Sequence, residues 1–114
     1  MRAWSLDVAG GYGSWDGRHL EVGGRLLEGP LRVGDMFTQV QSLDGGEHRE
    51  VNLRLVEIRC YGGLLQELDV GLTAYLSLNG TGGVHVLGPR KGFWRPRRPT
   101  DCLLVGYDPP EHPA

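Results

Sequence analysis

The sequence predicts an all-β domain, a small barrel or sandwich of six or seven short strands. Three observations predict it. Nineteen glycines and seven prolines in 114 residues supply turns at short intervals and leave no room for a helical bundle. Between those turns apolar side chains recur at every second position, which is the strand period. The longest stretch free of Gly and Pro, residues 47–61, also reads better as a strand than as a helix. With 39% hydrophobic and 23% charged residues, the chain has enough apolar surface to fold around one core without metal or disulfide support.

Each element follows in turn. Residues 4–8 form a first strand, ended by Ala9-Gly10-Gly11-Tyr12-Gly13. Residues 19–27 alternate, with Leu20, Val22, Gly24 and Leu26 on one face and His19, Glu21, Gly23 and Arg25 on the other. Glu28-Gly29-Pro30 is a turn, and Leu31 and Val33 lead through Gly34-Asp35 into a strand over 36–41. Residues 42–47 make a hairpin tip, because Asp-Gly-Gly reaches positive φ at little cost. In 47–61 a helix would place Val51, Leu55 and Ile58 together but scatter Leu53, Val56 and Cys60. As a strand, Val51, Leu53 and Leu55 alternate, and Val56, Ile58 and Cys60 continue in the opposite phase, which predicts a β-bulge.

Gly62-Gly63 breaks that strand, and residues 64–68 fit either a helical turn or a loop. From Gly71 onward Leu72, Ala74, Leu76 and Leu78 point inward, and Thr73, Tyr75, Ser77 and Asn79 outward. Residues 80–83 turn, 84–87 form a short strand, and the apolar run 102–107 returns as the last one. The expected core is Leu20, Val22, Leu26, Val33, Leu53, Val56, Ile58, Leu72, Ala74, Leu76 and Leu78. Trp4, Tyr12, Phe37 and Tyr107 belong to core or rim.

The formal net charge of −2 implies no partner, but its distribution is uneven. Arg90, Lys91, Arg95, Arg97 and Arg98 put five positive charges into nine residues with no acid. The body that remains has seven basic against fourteen acidic residues. Six of the seven prolines lie from Pro89 onward, so residues 90–100 read as an extended, proline-restricted arm. The division expected is a barrel over 1–88 and, over 89–114, a basic arm, a return strand and a tail packed on the same domain. No apolar run approaches the roughly 20 residues of a membrane span, and the first residues do not read as a signal peptide. The expected location is cytoplasmic, with Cys60 and Cys102 as reduced thiols.

A run of motifs then resembles one family. Gly17-Arg18-His19-Leu20-Glu21-Val22-Gly23-Gly24-Arg25 is followed by Glu28-Gly29 and by Leu31-Arg32-Val33-Gly34-Asp35. Further on come Val56-Glu57-Ile58, the stretch from Leu64 to Gly71, and Ala74-Tyr75-Leu76-Ser77-Leu78-Asn79-Gly80. Together with Trp4-Ser5-Leu6-Asp7-Val8, this ordered set is similar to the second domain of translational GTPases such as elongation factor Tu. It extends over about residues 4–88. The resemblance implies a closed six-stranded antiparallel Greek-key barrel, here with a Pro/Arg-rich C-terminal arm and room for an extra strand. It also implies an accessory module that touches RNA, aminoacyl-tRNA or neighbouring domains and performs no chemistry. In several such factors the equivalent of Gly24-Arg25 lies near ribosomal RNA, which makes Arg25 a candidate contact. No phosphate loop or guanine-recognition motif is present, so the resemblance is to the barrel alone.

The strongest candidate site in the sequence is the arm. Arg90, Lys91, Arg95, Arg97 and Arg98 suit phosphate neutralisation, and Phe93 or Trp94 suits stacking on an unpaired base. The plainer reading has Trp94 packed on the barrel and the arginines paired with the acidic body. Trp15, after a Gly-rich turn, is either an exposed anchor or a lid on one barrel end. Cys60 is expected inside with Ile58, and His85 outward on its strand. Neither a nucleophile elbow nor a His/Cys cluster at metal spacing occurs, so the expectation is a non-enzyme without cofactor, nucleotide or metal. The expected function is a binding module for RNA or the translation machinery. The alternative is a dedicated protein-binding role, as an immunity, inhibitor or adaptor protein; an enzyme is a distant third.

Overall fold

The computed structural model describes residues 2–14, 16–42, 48–86 and 102–108. In chain order the described elements are β1 (Ala3–Gly13), β2 (His19–Glu28), β3 (Leu31–Arg32), β4 (Met36–Ser42), β5 (His48–Cys60), β6 (Gly63–Leu65), β7 (Glu67–Leu68), β8 (Thr73–Thr81), a 3-10 turn (Gly83–His85) and β9 (Cys102–Tyr107).

Six strands close into a barrel. Hydrogen-bonded neighbours run β4–β9–β1–β2–β8–β5, and β5 pairs back onto β4. Every pairing in this ring is antiparallel. Closure removes the unpaired edges that an open sheet would expose. β4, β5 and β8 are successive neighbours, and β2, which precedes β4 in the chain, lies beside β8; this is the Greek-key return. β6 is the extra strand, paired on the outside of β5 from Ile58↔Leu65 to Cys60↔Gly63. β3 and β7 form a separate two-stranded ribbon, in which Leu31 faces Leu68.

The inward phase of each stave fills the interior. Leu6, Leu20, Leu26, Phe37, Leu53, Leu55, Ile58, Leu76, Leu78 and Leu104 are all fully buried, and Leu31 and Leu68 of the ribbon join the same cluster. The glycines of the sequence motif have structural duties. A Cβ on Gly24 would collide with the carbonyl oxygen of Asp7 on the neighbouring strand. Gly34 has φ 99°, a region that side chains rarely allow. Its N–H donates to Leu55 O at 2.8 Å while Leu55 N–H donates to Asp35 O at 2.9 Å, so the Gly34-Asp35 corner is pinned to β5. The Asp35 carboxylate in turn accepts both arms of the Arg2 guanidinium, at 2.7 and 2.8 Å. Arg2 also donates to Pro30 O at 3.0 Å and lies 4.7 Å from the centre of the Trp4 ring. The N-terminal residues are thereby fastened to the β3–β4 corner.

Several expectations need correction. The bulge in β5 exists: the register to β8 moves from Leu55↔Leu78 to Glu57↔Ser77. Val56 is its extra residue, and it faces outward at 40% exposure instead of entering the core. Leu72 stands before β8 in a turn, where its N–H donates to Asp69 O and its carbonyl accepts from Leu26 N–H; it too is exposed. Val33 is only partly buried, packed against the core. β1 does not stop at Val8 but continues through the glycines to Gly13, absorbing a register shift between Val8 and Gly10. Residues 64–68 are neither a helical turn nor a loop but contribute β6 and β7. β8 runs through Gly80 and Thr81, and the strand expected from residue 84 is instead the 3-10 turn, with exposed His85 on it.

Candidate functional site

The outer face of β2, β8 and β5 carries the most organised polar cluster among the described side chains. Alternation along β2 turns His19 and Glu21 outward. Register then places His19 opposite Asn79 and Glu21 opposite Ser77, with Arg59 of β5 opposite Tyr75. Glu21 sits at the centre. The Ser77 hydroxyl lies 2.8 Å from each of its carboxylate oxygens, and Arg59 Nη2 donates to Oε2 at 2.6 Å. His19 Nε2 is 3.1 Å from Glu21 Oε1, and His19 Nδ1 is 2.6 Å from Asn79 Oδ1. These partners explain how Ser77 is buried although it faces outward, since a buried hydroxyl needs a hydrogen bond. Charge-assisted contacts of this length fix side-chain positions firmly.

Beside the cluster lies an aromatic surface. Tyr75 is 63% exposed, and its ring covers Gly23, where a Cβ would come within 3.0 Å of Tyr75 Cε1. Two positions further along β2 stands Arg25, opposite Asp7 and Thr73. Arg25 is exposed and makes no ion pair among the described residues. Cationic, aromatic and hydrogen-bonding groups thus share one solvent-facing sheet surface. Each of these groups can hydrogen-bond, ion-pair or stack with a ligand.

The other sequence-derived candidates fall differently. Arg90, Lys91, Phe93, Trp94, Arg95, Arg97 and Arg98 lie outside the described residues, as does Trp15. The residues that flank the arm are described. Val86 is fully buried beneath the 3-10 turn, and Cys102, 2% exposed, pairs with Val8 and Ser42. Both flanks therefore belong to the barrel end that also bears the β1–β2 turn, where a Cβ on Gly17 would collide with Val84 N. That turn is tightly bonded: the Ser14 hydroxyl donates to Asp16 Oδ1 at 2.7 Å, and Arg18 N–H donates to the same oxygen at 3.1 Å. The Ser14 bond, then the Arg18 amide, holds the Asp16 carboxyl below the usual range. Arg25 lies six residues along β2 from His19, about 20 Å at strand rise, so the structure separates it from the arm's anchor points. Cys60 is half-buried, with its Sγ–H donating to Thr73 O at 3.4 Å. Among the described residues no group of three His, Cys, Asp or Glu side chains is placed to hold a metal, and no helix is long and apolar enough to cross a membrane.

Sequence reasoning missed the Glu21 cluster and the Tyr75 surface. The signal was present only in the pairing of strands: Glu21 and Ser77 are 56 positions apart, and Glu21 and Arg59 are 38 apart.

No family model and no curated protein matches the chain. A solved structure does: translation elongation factor SelB from Methanococcus maripaludis, in its apo form, with a TM-score of 0.61 at 13% identity. The match covers 91% of this chain and 19% of that one, so the likeness is to one small part of a large factor. The chain has the fold of a translation-factor barrel, the closed six-stranded second-domain type that its glycine and arginine motifs resemble.

Proposed function

We propose that this protein is a non-enzymatic binding module that contacts RNA or the translation machinery, using the end of the barrel from which the basic arm departs. The observation that carries the reading is the placement of the two flanks. Val86 and Cys102 are both buried at one barrel end, beside the β1–β2 turn. A segment with five basic residues and two aromatics is thereby tethered at both ends to a rigid scaffold, the arrangement in which loops commonly bind. The likeness of the barrel to part of an elongation factor supports the same class of partner.

Binding to a single-stranded RNA would be driven by phosphate neutralisation. The slope of log K against log salt is then about −3 to −4, at roughly 0.7 per contact. Replacing Arg95, Arg97 and Arg98 with Ala flattens it by about 2. Trp94→Ala weakens binding by ~1–3 kcal/mol at unchanged slope, because stacking releases no counterions. Filter binding at two salt concentrations reads both effects. No RNA binding at about 50 mM salt, where such contacts are strong, would remove this reading.

A protein partner is the second reading, favoured by the opposite end of the barrel. Leu27, Tyr61, Leu64, Val70 and Leu72 are all exposed there, and outside the arm the chain is acidic, with seven basic against fourteen acidic residues.

A further inference from the structure

The outer surface of β5 carries a depression of about 520 Å³, within the range of small-molecule sites. Val33 and Val56 are apolar residues of its lining, Arg54 and Asn79 polar ones, and Gly34, Leu55 and Gly80 complete it. Three features of the fold create it. The bulge turns Val56 outward, where it is 40% exposed and contributes little to folding. The Gly34-Asp35 corner, bonded to Leu55, holds Val33 at the rim. The β5–β8 register sets Arg54 directly opposite Asn79.

The two polar residues offer free donors. Arg54 makes no ion pair or hydrogen bond among the described residues. Asn79 directs its Oδ1 to His19 Nδ1 at 2.6 Å, which leaves its NH2 group without a partner among them. Among the described residues no carboxylate lines the depression. A planar guanidinium fork and an amide donor beside two valines match a planar anion with a branched apolar body. A phosphate fits less well, because the valines would leave its remaining oxygens unsatisfied.

We propose that this depression binds a carboxylate attached to a small branched apolar group, with Arg54 and Asn79 donating to the carboxylate and Val33 and Val56 covering the apolar body. Such a group is offered by a short free carboxylic acid and by the last residue of a peptide chain. This site is independent of the basic arm, and its failure would leave the RNA reading untouched.

The test is an amide NMR titration of the full chain with three probes: 4-methylpentanoate, N-acetyl-leucine and N-acetyl-leucinamide. The expected result is saturable shifts at the Gly34, Arg54 and Val56 amides, with Kd of about 1 mM for a ligand of this size. The uncharged amide should produce none. Equal binding of both acids identifies a free carboxylic acid as sufficient; tighter binding of N-acetyl-leucine identifies a chain terminus. Arg54→Gln should weaken binding at least ~10-fold without changing the melting temperature, and Arg54→Lys should restore part of it. Shifts from N-acetyl-leucinamide equal to those from the acid, or no saturation with either acid at about 10 mM, ten times the expected Kd, would overturn the proposal.

Discussion

Tyr61 occupies a backbone conformation that folding alone would give to a different residue. Its φ is 52° and that of Gly62 is 78°, a left-handed pair at the turn between β5 and β6. Two-residue hairpin turns of this kind favour Asn or Gly at the first position, because a Cβ with a bulky ring is crowded there. The Tyr61 side chain gains nothing in return, since the residue is 96% exposed. Tyr61→Asn should therefore stabilise the protein by about 0.5–1 kcal/mol, seen as a higher urea midpoint at unchanged m value. A loss of stability would mean that the ring packs against the barrel. Residue-scale chemistry of this kind was partly legible in the sequence. Arg25 could be assigned to an outer face from alternation alone. The bonds around Glu21 could not, because they depend on which strands are neighbours.

β5 shows what an element adds to its residues. Its first half buries Val51, Leu53 and Leu55, its second half Ile58, and one extra residue between them switches the phase. Leu55→Ala and Ile58→Ala should each cost ~2–5 kcal/mol, as deletions from a filled interior do. Val56→Ala should stay within about 0.5 kcal/mol, because Val56 touches solvent. Chemical denaturation of the three variants checks the assignment; a cost at Val56 equal to that at Ile58 would reverse it. The sequence reveals the switch but not the extra residue, since Leu55 and Val56 are both apolar and either satisfies the pattern. A similar ambiguity misleads at residues 84–86. Val84 and Val86 flank His85 in strand-like alternation, yet Gly82 takes a left-handed φ of 82°, and the His85 and Val86 N–H groups donate to Gly82 O and Gly83 O. The chain turns instead, and Val86 is buried as a plug.

At the scale of the whole molecule, the last described strand decides whether the barrel exists. β9 fills the gap between β4 and β1, pairing Gln39↔Val105 on one side and Ser5↔Val105 on the other. A chain ending at residue 88 would keep five staves and expose two unpaired edges. It should aggregate or show collapsed, poorly dispersed amide spectra. A synthetic peptide of residues 102–108, added in trans, should restore dispersion by strand addition. A cooperative melt of the short chain matching that of the full one would contradict this. The glycine signature made the barrel legible, because each matched glycine answers to backbone geometry. It said nothing about which surface binds, since a fold fixes where strands run and not what their outer faces carry.

The pairing of β1 with β9 also has a temporal side. Ala3 meets Tyr107, so the barrel's first strand to leave the ribosome waits for its last. During synthesis the nascent chain carries bare edges on β1 and β4 until residues 102–107 emerge from the exit tunnel. Barrel closure is then a late event, slow because its contacts are distant along the chain, on a scale of milliseconds to seconds. That interval is when the chain is most exposed to association with other unfinished chains. Any sequence that follows residue 114 leaves the tunnel only after the barrel has had its first chance to shut.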